Sequence, residues 1–249
     1  MQYPLIKPKY YVCLFKEIYG FIKRPTLVKN QEKSTKDKIY DTLGLYLLKF
    51  VFLIPVVLFF AVIYDPQNIQ SVSMAERFSP LVLLLVGGLL LPFLEEIAFR
   101  LSLRFKPIYL ALSGTVLSYY LLTKLVFATK MTAVDESFLL RIGISVLVGA
   151  FLFPLANTST IKLRLVRFWT THFRSIYYVL SVLFAWVHLT KYEPTLTNIL
   201  LLPILTLPQL MSALIYGYLR VSFGFKYPLL FHMTNNLLAI GLSLLPFTD

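Results

Sequence analysis

The chain has 249 residues, 57% apolar and 14% charged, with a mean hydropathy of +0.72, which excludes a soluble domain and implies an all-α, polytopic membrane protein. A net charge of +12 would suit nucleic acid only if it lay on a folded polar surface; here the basic residues flank apolar runs, and no nucleic-acid partner is expected. The single cysteine, Cys13, excludes internal disulfides and a thiolate metal site, and no stretch resembles a cleaved leader.

Residues 1–38 carry nine Lys or Arg against three acids, and Tyr11, Leu14, Phe15, Ile18 and Ile22 recur at helical spacing. This pattern predicts a helix lying on the membrane surface, whose positive charge serves topological anchoring or, as the functional alternative, attraction to anionic lipids. The remainder, 39–249, reads as a single transmembrane domain of seven spans. Span one runs from about Leu43 to Tyr64 and is followed by a polar loop through Asp65-Pro66 and Glu76-Arg77. Span two runs from about Ser79 through Leu101, span three from Pro107 to Thr129 and span four from Phe138 to Ala156. A basic connector, Asn157 to Ser175, holds Lys162, Arg164, Arg167 and Arg174, with His172 at the interface. Span five covers about Ile176 to Leu189, span six Leu196 to Leu219 and span seven Tyr227 to Leu245. Pro203 and Pro208 predict a kinked or broken span six.

Seven spans put the N-terminus on the side that carries Arg100, Arg104, Lys106, the connector, Arg220 and Lys226. The opposite loops offer Arg77, Lys130 and Lys191 beside Asp65, Glu76, Asp135, Glu136, Glu193 and Asp249. The positive-inside rule then makes the basic side cytoplasmic.

Within span two stands Pro92-Phe-Leu-Glu-Glu-Ile-Ala-Phe-Arg100. Carboxylates at that depth are costly, face protein or water, and need partners. Glu96 and Arg100, four apart, share a helix face, whereas Glu95 is turned about 100° away and is the freer acid. Pro92 predicts a kink one turn before the pair, and Gly87-Gly88 allows another helix to approach closely. A salt bridge tying two helices together is the structural alternative.

Two histidines lie inside apolar spans: His188, four residues after Phe184, and His232, four before Asn236. A Glu pair, two imidazoles and a carboxamide supply a base, a second proton-handling group and donors for an oxyanion, a set suited to amide hydrolysis. No serine or cysteine sits in a nucleophile context, so activated water is favoured. Glu95, His188 and His232 could alternatively form a His2Glu zinc site, although no HExxH helix is present.

Glu95-Glu96-x-x-x-Arg100, Phe184-x-x-x-His188 and His232-x-x-x-Asn236, in that order over residues 79–246, resemble the CPBP intramembrane proteases, which include the type II CAAX prenyl endopeptidase and bacteriocin-processing, Abi-like proteins. The resemblance implies a glutamate-dependent endopeptidase of the bacterial inner membrane, without cofactor, acting on a membrane-anchored or lipidated peptide at a site opening to the cytoplasm. It implies that Glu95 and His188 activate water, His232 and Asn236 hold the oxyanion, and Glu96, Arg100 and Phe184 support them. A silent relative that binds a lipid or peptide, or serves as a scaffold, is the alternative. Leu101 stands where the family often has Gly, and 107–157 reads as an inserted helical pair that leaves the directions of the motif helices unchanged. At about 1.5 Å per residue, His188 lies roughly 21 Å past Arg174 but His232 only roughly 9 Å past Lys226. Span five is therefore expected to begin later than Arg174.

Overall fold

The computed structural model describes residues 4–27, 33–64 and 66–245, which are helical apart from short turns. Asp65 and Asp249 of the acidic loops, and residues 28–32 of the basic segment, lie outside the described residues. Among the described residues, five helical stretches are long and apolar enough to cross a membrane: Thr35–Val62, Pro80–Leu103, Pro107–Val126, Phe138–Asn157 and Phe173–Lys191.

Helix α1 (Pro8–Lys23) starts on a proline, whose missing N–H costs nothing at a helix start. Its apolar stripe is covered in part by protein: Leu14 and Ile18 pack with Leu45 of α2 (Thr35–Val62) and with Ile215, Tyr218 and Leu219, while Phe15 stays exposed. Helix α2 begins eight residues before Leu43 and inside the segment assigned to 1–38. Ser34 and Asp37 form a reciprocal capping box, a stronger start signal than the onset of hydropathy.

Helix α3 (Ile69–Arg77) leads into α4 (Pro80–Leu83), and the chain then widens into a π-turn over Leu84–Leu90 before α5 (Leu91–Phe99). The Leu91 amide bonds back to the Val86 carbonyl. Pro92 cannot donate to the Gly88 carbonyl and its ring needs room there, so the predicted kink is realised as one widened turn. On the same turn, a Cβ at Gly87 would lie 2.9 Å from Ile240 Cδ1 and one at Gly88 2.5 Å from Leu237 Cδ2. Both positions stay bare so that α13 (Lys226–Ser243) can approach.

Helices α6 (Pro107–Leu121) and α7 (Phe138–Asn157) pack along their length, with Gly149 seated against Thr115. Buried Arg141 ties the pair's end together through Thr123 Oγ1 (3.0 Å), Tyr119 (3.2 Å), the Ala133 carbonyl (2.8 Å) and Asp135 (3.2 Å). The basic helix α8 (Ser159–Thr171) turns into α9 (Phe173–Val187). Helix α9 runs without interruption from Phe173, so the expected later start is not found. Pro203 and Pro208 break the next segment into α10 (Leu196–Leu200), α11 (Leu202–Leu205) and α12 (Leu207–Ser222).

Hydrogen bonds define two ends of the bundle. At the basic end, Arg104 donates to the carbonyls of Val221 (3.1 Å) and Leu27 (3.1 Å), Arg220 to that of Arg100 (3.1 Å), and Trp169 to that of Ser102 (2.7 Å). Tyr218 of α12 donates to Glu17 of α1 at the same end. At the other end, Tyr64 meets Asn198 (2.7 Å), Arg77 meets Thr132 (3.0 Å) and Lys130 meets Ser73 (2.6 Å).

Candidate active site

Helices α5, α9 and α13 bring the motif residues together. Glu95 Oε2 lies 3.6 Å from His232 Nε2 and 3.9 Å from His188 Nε2. His188 closes α9 at the start of a 3-10 turn, and its Nδ1 is 2.7 Å from the Phe184 carbonyl. A carbonyl only accepts, so Nδ1 carries the proton and Nε2 presents a lone pair to Glu95 in the neutral ring.

His232 Nδ1 is 3.0 Å from Glu96 Oε1, and Arg100 Nε is 3.7 Å from the same oxygen. The Arg100 guanidinium lies 3.7 Å from the Phe184 ring centroid. The lower layer is thus Glu96, His232, Arg100 and Phe184, all buried, while Glu95 is the acid that faces open space. This is the division predicted by the 100° offset between adjacent helical residues.

Asn236 donates from Nδ2 to the Gly87 carbonyl at 3.1 Å. That carbonyl is available because the π-turn interrupts the regular helical ladder. Of the amide's two protons, the second is left for another acceptor.

Glu95, His188, His232 and Asn236 share one cavity of about 420 Å³. Its outer wall comes from Asn68, Ser71, Met131, Thr190 and Lys191, all from the end where α3 and the turns after α6 and α9 meet. The expected opening toward the basic end is therefore corrected. At that end the way is filled by Leu103, Phe173, Tyr177 and Val221, packed as a core cluster.

The depth discrepancy between His188 and His232 is not realised, since their Nε2 atoms lie 3.9 and 3.6 Å from the same Glu95 oxygen, so Arg174 and Lys226 do not mark one depth. Arg100, Arg104 and Arg220 serve poorly as markers of the membrane interface, because they are turned inward onto carbonyls or rings. Helix α9 runs antiparallel to α5: Tyr177 packs at Leu103, Phe184 at Phe99, and His188 at Glu95.

Four further residues belong to the site's surroundings. Tyr120 of α6 faces Glu95, with Lys124 one turn on, and Lys191 is close enough to Glu95 to feel its charge. Lys49, buried in α2, donates to Asn235 Oδ1 at 2.8 Å, beside Asn236. A lone lysine inside an apolar span was a readable signal. Nothing in the sequence ties Tyr120 to Glu95, since that pairing depends on how α6 docks on α5.

Among the described residues, no group of three or more His, Cys, Asp or Glu is arranged to hold a metal ion, and Glu95, His188 and His232 do not form one. His172 stacks on Phe168 in α8, at the other end of the molecule. No protein-family model, curated protein or solved structure matches the chain, and the residues themselves carry the functional reading.

Proposed function

We propose that this protein is an intramembrane endopeptidase that hydrolyses a peptide bond of a membrane-associated substrate with water activated by Glu95 and His188. The observation that carries the reading is the convergence of Glu95 Oε2 with both imidazole Nε2 atoms on the wall of one cavity. Oε2 and the His188 lone pair are two acceptors for the two protons of one water, leaving the water oxygen free to attack a carbonyl. His232 can donate to the developing oxyanion only from a protonated ring, and Glu96 at its Nδ1 supports that charge. The free amide proton of Asn236 supplies a second donor. Arg100 balances Glu96, so that Glu95 is the carboxylate that handles the proton.

In this reading α10–α12 and α13 complete seven spans around the five apolar ones, and α1 rests at the interface. The basic residues gathered around α1 support a cytoplasmic N-terminus. The cavity then opens on the opposite, non-cytoplasmic side.

The test uses protein in proteoliposomes with a panel of membrane-anchored peptides, comparing wild type with Glu95→Gln and His188→Ala, each with and without chelator. Cleavage should be lost in both variants and unaffected by chelator. Retained cleavage in Glu95→Gln refutes the assigned base, and loss on chelation replaces the proposal with a zinc peptidase. Comparing the membrane proteomes of cells carrying wild type or Glu95→Gln identifies the substrate.

A further inference from the structure

The cavity is lined by two lysines, Lys124 and Lys191. Tyr120 of α6 and Lys124, just beyond its end, both line the cavity. Lys124 sits in a second π-turn, Leu122–Val126. From the other side, the 3-10 turn His188–Lys191 aligns residues three apart, which puts Lys191 on the face of His188. Glu95 is the sole carboxylate among the cavity's lining residues. Lys191 is within electrostatic reach of Glu95, whereas Lys124 has no charged partner among the described residues.

Two half-buried ammonium groups beside one lining carboxylate leave the cavity with an excess of positive charge that favours an anionic ligand. Glu95 serves one at most, and as the proposed base it does not hold its charge through the reaction. A compact point charge on a flexible stem suits a carboxylate that arrives with the substrate. We infer that Lys124 and Lys191 form an anion subsite that receives a carboxylate of the peptide substrate next to the scissile bond. The inference rests on the peptidase reading of the same cavity. It gives the end of α6 a function beyond spacing the motif helices: with the turn that follows, it supplies part of the wall that selects the substrate.

The subsite is tested by binding, which needs no turnover. Glu95→Gln protein in phosphatidylcholine nanodiscs is titrated with an N-acylated apolar peptide carrying an uncharged dye, in three forms. These are a free C-terminal acid, a C-terminal amide, and an amide with Asp as the penultimate residue. The free acid or the Asp peptide should bind about tenfold more tightly than the plain amide, the scale of one partly desolvated charge pair. The preference should vanish in Lys124→Gln/Lys191→Gln and survive in Lys124→Arg/Lys191→Arg. If only the free acid is favoured, the carboxylate is terminal; if the Asp peptide is favoured too, a side chain suffices. Equal binding of all three peptides, or a preference that persists in the double Gln variant, overturns the subsite. If the Gln pair fails to fold, Lys124→Met and Lys191→Met are read singly, each expected to lose part of the preference. A lysine-dependent preference without cleavage by wild type would leave the subsite standing and sink the peptidase.

Discussion

Arg100 has Phe184 against its face and Glu96 at its Nε, while its two terminal nitrogens find no hydrogen-bond partner among the described residues. Its role is to balance Glu96 inside the bundle, so Arg100→Gln leaves a buried carboxylate beside His232 without its cation. The expected cost is about 3–5 kcal/mol, the usual result of breaking a buried pair from one side. Arg100→Lys should lose less stability, because the charge remains, but should still lose activity, because the planar contact with Phe184 does not. Denaturant unfolding in detergent, read beside peptide cleavage, checks both. Asp135 is a contrasting carboxylate in an exposed turn. Hydrogen bonds from Ser137 and Thr129, with the Arg141 charge nearby, hold its pKa down from 3.8 to about 2. A lowered folded-state pKa gives stability that is present above pH 3.8 and is lost as pH falls toward 2. The α6–α7 pair should therefore loosen in that window in wild type, and Asp135→Asn should remove the dependence, as read by protection of the 127–137 turn from pepsin. The acidic pair Asp135-Glu136 is expected to be dispensable for the chemistry, since it lies outside the cavity lining.

Helix pairings decide whether the motif residues meet, and here the sequence was informative in a selective way. The Glu pair, the two histidines and Asn236 were legible because polar groups in apolar spans are rare and each needs a partner. The faces of Glu95 and Glu96 followed from helical geometry alone. The π-turn was legible only as a kink at Pro92, since residue types do not specify whether a proline bends a helix or widens it. That turn has chemical value, because it presents the Gly87 carbonyl to Asn236. Gly88 is the contact on which it depends: an added Cβ meets Leu237 Cδ2 at 2.5 Å and Cγ at 3.1 Å. Gly88→Ala should push α13 outward, destabilise by about 1–3 kcal/mol as overpacking does, and lower kcat through misplaced His232 and Asn236. Leu237→Ala in the same chain should restore much of both losses. A double variant no better than Gly88→Ala would show that the glycine is needed for some reason other than this contact.

At the scale of the whole molecule, charge patterning and side-chain position gave opposing answers about where the site opens. The patterning placed the basic clusters on one side, which the positive-inside rule makes cytoplasmic, and the resemblance implied a site opening to the cytoplasm. Arg100 and Arg104 are in fact folded inward, Arg104 onto the carbonyls of Val221 and Leu27, and they close that end. Proximity in sequence to a basic residue thus says nothing about depth once that residue has a partner inside the protein. The orientation counted Arg100, Arg104 and Arg220 as well, but with those set aside Lys106, Lys226 and the basic residues of α1 and α8 still mark the same side. If both arguments hold, the cavity mouth and the N-terminus lie on opposite sides of the membrane, which labelling can decide. In a Cys13→Ser chain, needed because Cys13 is exposed, single cysteines replace exposed Lys9 in α1, Ser71 at the cavity wall and Glu136 in the turn before α7. An impermeant maleimide added to intact cells should label Ser71→Cys and Glu136→Cys, and should reach Lys9→Cys only after permeabilisation. Labelling of all three from one side would mean that α1 and the cavity mouth share a face, contrary to the end-to-end hydrogen bonding. Labelling of Lys9→Cys alone in intact cells would invert the protein. The cavity would then open to the cytoplasm, and substrates would have to be sought there.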